Sequence, residues 1–419
     1  MSRTEQLVLA TLLAVSAVIR IQQYTAGRAL WTDEAMLALS VAIRSPLELL
    51  EPLYYSQVAP PVFLWSESLA VLIGGVNEAS LRIVPFVAGL LVPYLVWHVG
   101  ERLFNRTSTM IAVALAGFAP AMVFYSNEAK PYGVDALVTV GLVLLALPAL
   151  ERPNEQSVWT KLLLAGVVSI WASASAVFVL AGISGALAAD STIAPSRRVR
   201  RLGAGALAWG GAFAAAYLTV YRKGIDDPYM RDFWQDTYLK IQSPDELAHS
   251  LVLVLRSLLW IFLGESSVLA SFAGVVGVAL FLLVALLGPL LIGVGRVGRD
   301  HGWIGVSMLA GPSLAMTAAS LNGTYPIAGR LVVFQVPLWC LLIGYGYDWI
   351  ASRVFVSYSR ITAGVLTASV VVAGLPVTGR WTVRQMQWSS SRELIAFEEA
   401  SNRDGEPVYV TARGAPTCA

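Results

Sequence analysis

The sequence predicts an all-α protein that crosses a membrane many times. Of its 419 residues, 56% are hydrophobic and only 13% are charged, and the mean hydropathy is +0.65. A water-soluble fold cannot hide that much apolar surface in its core. Apolar runs also recur along the whole chain, at about the length needed to cross roughly 30 Å of hydrocarbon.

These runs predict eleven membrane-spanning helices. The run 158–189 is divided into two spans because serines interrupt it near its middle. The apolar stretches 60–75 and 247–263 carry polar residues in their interiors, so we expect them to lie at the membrane surface. The spans are at about 6–22, 79–98, 107–125, 133–150, 158–173, 174–189, 202–221, 267–294, 302–321, 331–350 and 361–378.

Basic residues indicate which side of the membrane each loop faces. With the N-terminus inside, the loops with several Arg and Lys residues, such as 197–201, lie on the cytoplasmic side, as the positive-inside rule requires. Lys130 and Arg330 lie in outer segments, break this bias and need another explanation. The long segments then lie outside. Because long loops on one face of a bundle carry function, we expect an active site on the extracytoplasmic side of the inner (plasma) membrane. The outer segments are 23–78, 126–132, 222–266, 322–330 and the tail from 379.

The chain divides into a transmembrane domain, 1–378, and an extracytoplasmic tail, 379–419. In the tail, 392–400 has the pattern of an amphipathic helix, 402–405 of a turn and 408–411 of a strand. This predicts the start of a small α/β element. Since a single strand is not stable alone, we expect either that the loops complete this element or that the tail is incomplete.

Composition excludes several classes of partner and site. The net charge is only +2 and the basic residues are spread over short loops, which argues against nucleic acid as a partner. Cys340 and Cys418 form no metal-binding pattern. His98, His249 and His301 lack ligand spacing, which argues against a zinc site. We expect no cofactor, although a divalent metal ion stays open.

Two adjacent carboxylates, Asp33 and Glu34, follow the first span directly. An ionisable pair at the edge of a bilayer is costly unless water, a protein partner or a substrate receives it, so the pair is a candidate functional site. The alternative is a helix cap, in which Thr32 or Asp33 accepts backbone N–H bonds as the next helix starts.

Further motifs accompany this pair, and together they resemble the GT-C integral-membrane glycosyltransferases. The resemblance is to the bacterial relatives of protein O-mannosyltransferases and of the aminoarabinose transferases that modify lipid A. It covers nearly the whole chain and is strongest in 29–135. The motifs are Trp31-Thr32-Asp33-Glu34, Ala59-Pro60-Pro61-Val62-Phe63-Leu64-Trp65, Ser80-Leu81-Arg82-Ile83-Val84-Pro85, Tyr125-Ser126-Asn127-Glu128-Ala129-Lys130-Pro131-Tyr132 and Tyr325-Pro326-Ile327-Ala328-Gly329-Arg330-Leu331.

The resemblance implies a GT-C bundle and a hexosyl- or pentosyltransferase reaction. The sugar comes from a polyprenyl-phosphate donor and passes, by inverting displacement, to a hydroxyl of a lipid, a glycan or a protein. Two departures from the family stand out. Lys130 replaces the usual arginine, which keeps the charge but loses bidentate phosphate geometry. The chain also stops at Ala419, where relatives usually continue.

Such a transfer needs a base for the acceptor and cations for the departing phosphate. Asp33 is the candidate base. Glu34 could orient the acceptor, hold Asp33 through water, or cap the helix. Arg330 and Lys130 are the candidate phosphate ligands, and the alternative for each is to reach lipid headgroups or to pair with Glu128.

The remaining candidates are supporting substrate contacts. Glu128 could bind substrate hydroxyls, a divalent cation or Lys130. Tyr125 and Tyr132 flank the outer loop and could line a sugar site, although tyrosines are also enriched at membrane interfaces. Tyr325 is a further candidate substrate contact. Arg82 is expected to meet phosphate or a headgroup.

Two functions of other classes compete with the transferase. A transporter or glycolipid flippase would place ionisable residues within the spans and break its helices near the midplane. Here charge concentrates at one face, which favours chemistry at that face. The other rival is a degenerate, non-catalytic member of the family.

Overall fold

The computed structural model describes residues 1–222, 226–263 and 282–354, and the regular structure in these ranges is helical, without strands. The helices of the first part are α1 (Arg3–Thr25), α2 (Thr32–Ile43), α3 (Pro61–Gly74), α4 (Glu78–Leu103), α5 (Arg106–Phe118), α6 (Pro120–Phe124), α7 (Tyr132–Glu151), α8 (Gln156–Ala172) and α9 (Ala176–Ala189). They are followed by α10 (Pro195–Ala216), α11 (Pro228–Trp234), α12 (Pro244–Leu263), α13 (Gly288–Asp300), α14 (Gly302–Leu309), α15 (Gly311–Leu321) and α16 (Val336–Val354).

The predicted all-α, multi-pass membrane protein is confirmed. In the described ranges, 6 helices are long and apolar enough to cross a membrane, or up to 8 if each bent helix pair is one span. The predicted span 361–378, part of 267–294 and the predicted tail 379–419 lie outside the described residues. The six single helices are Arg3–Thr25, Glu78–Leu103, Tyr132–Glu151, Pro195–Tyr221, Pro244–Leu263 and Gly329–Arg353.

Two of the predicted spans are bent in the structure. The run 107–125 becomes α5 and a second segment, Pro120–Asn127, at 56° to it. The run 302–321 becomes α14 and α15, at 55°. In both pairs a proline lies in the first turn of the second helix. Proline has no N–H to donate and clashes with the preceding turn, so a continuous helix breaks there.

The two apolar stretches that we expected at the membrane surface differ from each other. Helix α3 has 14 residues, so it measures about 21 Å, too short to cross the hydrocarbon upright. By contrast, α12 runs unbroken over 20 residues and has the length and hydropathy of a span. Its polar residues His249 and Arg256 lie on the exposed side, so they do not interrupt the helix.

The core of the bundle is formed where α4, α5, α7 and α16 pack together. Side chains such as Val96, Ala112, Val140 and Leu341 are fully buried there. Helices α8 and α9 are separated at 173–175, as the serines predicted. The described helices therefore form one packed bundle around an apolar centre.

One buried arginine fixes the bend between α5 and α6. Arg20 of α1 is fully buried, and its guanidinium donates to the carbonyl of Gly117 at 2.8 Å and to the hydroxyl of Ser16 at 2.6 Å. Carbonyls in the last turn of a helix lack helical partners. Arg20 therefore satisfies the end of α5, just before the chain turns toward the segment 125–131.

Close packing holds that segment against α4. A Cβ atom at Gly89 would lie 2.1 Å from Cβ of Ser126, closer than two carbon atoms can approach. Glycine at this position thus lets the segment 125–131 rest directly on α4, at the end of the bundle where 26–60 and 322–335 also lie.

Candidate functional site

Asp33 lies in the first turn of α2, where a carboxylate is favoured by the helix dipole. Its side chain is 17% exposed. One oxygen, Oδ1, is 3.1 Å from Nζ of Lys130. The other, Oδ2, accepts a hydrogen bond from Nη1 of Arg330 at 2.9 Å. Segments roughly 100 and 300 residues apart along the chain thus bring two cations to one carboxylate, which we call the Asp33 cluster.

The charges of this cluster set its protonation states. Burial alone would raise the pKa of Asp33, but Lys130 and Arg330 outweigh it and the pKa lies below its ordinary value. Burial lowers the pKa of Lys130, and the negative charge of Asp33 opposes that change. Lys130 also donates to Oε1 of Gln57 at 2.6 Å. Gln57 is thus a member of the cluster that the sequence analysis missed.

Arg330 is the second residue of the short 3-10 helix Gly329–Gln335, and aromatic rings pack beside it. Its guanidinium carbon lies 5.2 Å from the ring centre of Trp234, within cation–π range. A Cβ atom at Gly329 would meet the ring of Trp260 at 2.8 Å, so glycine lets Trp260 pack beside the arginine backbone. Trp234 and Trp260 lie in a predicted outer segment, and only the general enrichment of tryptophan at interfaces signalled them.

Arg330 keeps unused hydrogen-bonding capacity. A guanidinium has five N–H donors, and among the described residues Arg330 makes one hydrogen bond, to Asp33. Its side chain is 22% exposed. The free donors have the planar geometry that binds a phosphate through two parallel hydrogen bonds.

Glu34 and Arg82 form a second, separate centre, the Glu34–Arg82 pair. Both side chains are buried. Arg82 donates Nε–H to Oε1 at 2.8 Å and Nη2–H to Oε2 at 2.6 Å, and it also donates to the carbonyls of Arg28 and Ala29. The expectation that Arg82 meets phosphate or a headgroup finds no support in this geometry, because four of its hydrogen bonds are made inside the protein.

The contacts of Glu34 favour a helix cap over contact with an acceptor or with Asp33. Its oxygens accept the backbone N–H of Trp31 at 3.2 Å and that of Ala129 at 2.8 Å. It therefore closes the start of α2, as the cap reading predicted, and ties that start to the segment 125–131. Burial alone would raise the pKa of Glu34. The positive charge and hydrogen bonds of Arg82 outweigh burial, so the pKa lies below its ordinary value and the carboxylate stays ionised.

Glu128 lies between the two centres and pairs with neither cation of the Asp33 cluster by a salt bridge. Its Oε1 accepts the indole N–H of Trp31 at 2.6 Å, and its Oε2 is buried without a hydrogen-bond partner in the described part of the chain. Burial, with the nearby charge of Glu34, raises the pKa of Glu128 to about 8. Glu128 is thus predominantly a neutral acid at pH 7, which disfavours the metal-binding and Lys130-pairing readings.

Tyrosines form one wall of the site. The rings of Tyr125 and Tyr132 are 4.9 Å apart, edge to face, and Tyr125 also packs on Trp260 at 5.3 Å. The hydroxyl of Tyr325 donates to the carbonyl of Leu331, next to Arg330, at 2.9 Å. Tyr132 and Tyr325 are therefore placed beside the Asp33 cluster. Across the described ranges, no group of three or more His, Cys, Asp or Glu could hold a metal ion.

Comparisons with known proteins match this architecture. A family described as dolichyl-phosphate-mannose-protein mannosyltransferase matches residues 58–217. No curated protein sequence matches the chain. Among solved structures, ArnT from Cupriavidus metallidurans bound to undecaprenyl phosphate is similar with a TM-score of 0.58 and 12% identity, covering 100% of this chain and 85% of that one.

Two structures of archaeal oligosaccharyltransferase are also similar. The Archaeoglobus fulgidus oligosaccharyltransferase in complex with Zn and sulfate has a TM-score of 0.55 and 12% identity, over 94% of this chain and 56% of that one. The oligosaccharyltransferase AglB from Archaeoglobus fulgidus, in complex with an inhibitory peptide and a dolichol-phosphate, has a TM-score of 0.52 and 11% identity, over 98% and 61%. The chain thus spans about 60% of the length of the oligosaccharyltransferases. These findings confirm the predicted GT-C fold and the predicted resemblance to this group of glycosyltransferases.

Proposed function

We propose that this GT-C protein moves a sugar from a polyprenyl-phosphate donor to an acceptor hydroxyl on the extracytoplasmic face of the plasma membrane. The observation that carries the proposal is the Asp33 cluster, in which one accessible carboxylate lies between Lys130 and Arg330. Similar structures hold undecaprenyl phosphate and dolichol-phosphate, which supports a lipid phosphate as the ligand of the two cations.

The three side chains supply what the reaction needs. Asp33 takes the proton of the acceptor hydroxyl, and the acceptor oxygen forms a bond to C1 of the sugar. The bond between C1 and the phosphate oxygen breaks, and its electron pair leaves with the phosphate. The departing polyprenyl phosphate gains negative charge, which Lys130 and Arg330 stabilise in a partly buried setting. A single displacement of this kind inverts the configuration at C1.

Donor binding would also activate the base. While Asp33 pairs with both cations its pKa is low, so it is a weak proton acceptor. A phosphate that engages Lys130 and Arg330 brings negative charge close to Asp33 and weakens both pairs. Each change raises the pKa of Asp33. In the resting cluster Asp33 neutralises one of the two positive charges, and the remaining positive charge attracts the phosphate of the donor.

The test is transfer of radiolabelled sugar by the protein reconstituted in liposomes. Donors carrying different hexoses and pentoses on undecaprenyl phosphate are compared, with lipid, glycan and peptide acceptors. We expect Asp33→Asn to reduce transfer by about 10²–10⁴-fold, the usual contribution of a general base, and to retain donor binding.

Asp226 provides a matched control. It also bridges two arginines, Arg222 at 3.4 Å and Arg231 at 3.0 Å, but it is about half exposed and lies away from the cluster in sequence. We expect Asp226→Asn to transfer sugar at the wild-type rate. Equal rates for Asp33→Asn and wild type would show that Asp33 is not the base, and no transfer by wild type from any donor would refute the proposed activity.

A further inference from the structure

A second polar group lies near the Asp33 cluster, on different helices. Asp135 is in the first turn of α7, and Ser173 and Ser175 lie in the turn between α8 and α9. The hydroxyls of the two serines are 3.0 Å apart, and that of Ser173 interacts with the carboxylate of Asp135. We call these three residues the Asp135 group.

The Asp135 group has hydrogen-bonding capacity that the described residues leave unfilled. Oδ1 of Asp135 is buried and has no hydrogen-bond partner there. Ser173 and Ser175 are 0% and 2% exposed, and two hydroxyls that contact each other and one carboxylate retain several lone pairs. An unfilled carboxylate oxygen in such surroundings is costly, so a ligand that supplied a donor would be held firmly.

Two tyrosines connect the Asp135 group to the proposed phosphate site. Tyr132 precedes Asp135 by one helical turn and interacts electrostatically with Arg330, Asp33 and Asp135. Tyr325 lies close to both Asp135 and Tyr132, and burial together with the Asp135 charge raises its pKa. Tyr132 therefore lies within electrostatic reach of Arg330, Asp33 and Asp135.

We propose that the Asp135 group is the subsite that hydrogen-bonds the hydroxyl groups of the donor's sugar. This inference rests on the proposed function, since it needs a donor whose phosphate is bound by Lys130 and Arg330. The carboxylate accepts hydrogen bonds from sugar hydroxyls, and the serine hydroxyls can donate or accept. An amphoteric set of this kind suits a polyol and offers nothing to a prenyl chain.

The geometry also implies that the Asp135 group determines specificity. A site built to pair a substrate hydroxyl discriminates strongly against a ligand that lacks it, because the buried polar atoms are then left unpaired. The Asp135 group should therefore separate a donor that carries its sugar from undecaprenyl phosphate, the form that remains after transfer. It should also distinguish donors whose sugars place their hydroxyls differently.

The experiment compares binding of two ligands to the purified full chain in detergent. One is undecaprenyl phosphate without a sugar, and the other is the undecaprenyl-phosphate sugar that wild type binds most tightly among hexose and pentose donors. For Asp135→Asn we expect binding of the sugar donor to weaken by about 10–100-fold, the value of a hydrogen bond to a charged group. Binding of undecaprenyl phosphate should change by less than about twofold, because the phosphate contacts are untouched.

Thr139→Val is the matched control. Thr139 is buried one turn further along α7, and its hydroxyl bonds only the carbonyl of Asp135 at 2.9 Å among the described residues. We expect Thr139→Val to bind both ligands as wild type does. Ser173→Ala removes a hydroxyl from the Asp135 group and should also weaken binding of the sugar donor more than binding of undecaprenyl phosphate. This variant tests the inference if Asp135→Asn fails to fold.

The outcomes separate this inference from the proposed function. Selective loss of the sugar donor supports the inference. If folded variants bind the sugar donor as wild type does, or lose affinity for both ligands equally, the inference is overturned. The proposed function, lipid-phosphate binding by the Asp33 cluster, is not affected by that result. If wild type binds neither ligand, the proposed function fails first and the inference falls with it.

Discussion

Asp33 and Glu34 are neighbours in the chain, but their carboxylates lie in two different environments. Glu34 is fully buried and meets one arginine through two short hydrogen bonds. Asp33 is partly exposed and meets two cations from remote segments, one through each oxygen. Two carboxylates that look equivalent in sequence are therefore held by a closed pair in one case and by an open cluster in the other.

Arg82 and Arg330 differ in how many of their N–H donors are already used within the protein. Arg82 uses its donors on Glu34 and on two backbone carbonyls, so it has little left for a ligand. Arg330 makes one hydrogen bond among the described residues and rests on a tryptophan face. A saturated ion pair of buried groups fixes the backbone, whereas an unsaturated one can exchange its partner for a substrate.

The largest expected effect is on stability, at the closed pair. Glu34→Gln removes the negative charge and leaves Arg82 buried without its partner, which typically costs about 3–5 kcal/mol. Asp33→Asn should cost less than this, because Arg330 can reach water and the buried Lys130 keeps its hydrogen bond to Gln57. Chemical unfolding in detergent micelles measures both values.

A double substitution controls for this interpretation. In Glu34→Gln with Arg82→Met the buried charge is gone as well, so the loss should be smaller than the sum of the two single losses. Equal stability losses for Glu34→Gln and Asp33→Asn would contradict the division into a closed pair and an open cluster.

The second effect is on transfer, at the open cluster. Lys130→Met and Arg330→Gln each remove a cation from the departing phosphate, so we expect transfer to fall by about 10²–10³-fold. The free energy of unfolding should stay near the wild-type value. The measurement is initial rate at saturating donor, and Arg231→Gln, which removes one arginine beside Asp226, is the matched control. Full activity in either cluster variant would remove that cation from the proposed phosphate site.

Much of this arrangement was predictable from the sequence, and the reasons are physical. Apolar runs and the positive-inside bias predicted a multi-pass helical bundle, and short motifs predicted its resemblance to GT-C enzymes. Asp33, Lys130 and Arg330 were singled out because charges beside a bilayer need partners. The structure brings these three together, while their catalytic roles stay predictions.

The sequence could not indicate which basic side chain pairs with which carboxylate. Arg82 and Arg330 carry the same group in similar positions at the ends of apolar runs, and only the fold decides which of them meets Glu34. The same holds for Gln57, a neutral residue in a long segment that contacts Lys130. The stretch 247–263 was expected as a surface helix because of its polar residues, although His249 and Arg256 lie on the exposed side of an unbroken α12 that is long and apolar enough to span.

The third effect concerns pH and compares Glu128 with Asp33. The pKa of Glu128 is raised to about 8, above its unfolded value. Its contribution to stability is therefore complete below the unfolded pKa and is lost as the pH rises through the folded one. The pKa of Asp33 is lowered, so this group stays ionised throughout that range and contributes no change between pH 6 and 8.

The test is the free energy of unfolding of Glu128→Gln and wild type at pH 6 and pH 8. Wild type should lose about 2 kcal/mol relative to the variant over this interval, since one unit of pKa difference corresponds to about 1.4 kcal/mol. Asp33→Asn should follow wild type across the same interval. Parallel curves for Glu128→Gln and wild type would mean that Glu128 is ionised in the folded protein at neutral pH.

The smallest expected effect concerns the ring of Trp234, which we expect to orient the guanidinium of Arg330. Trp234→Leu removes the ring beneath the guanidinium but leaves its hydrogen bond to Asp33. A cation–π contact at a partly exposed site is worth about 0.5–1 kcal/mol, so binding of undecaprenyl phosphate should weaken about two- to fivefold, measured by titration in detergent. Phe233→Leu alters the neighbouring aromatic ring, which packs on Trp234 edge to face, and should have a smaller effect. If both variants bind alike, the ring of Trp234 does not orient Arg330, and the open cluster is held by Asp33 alone.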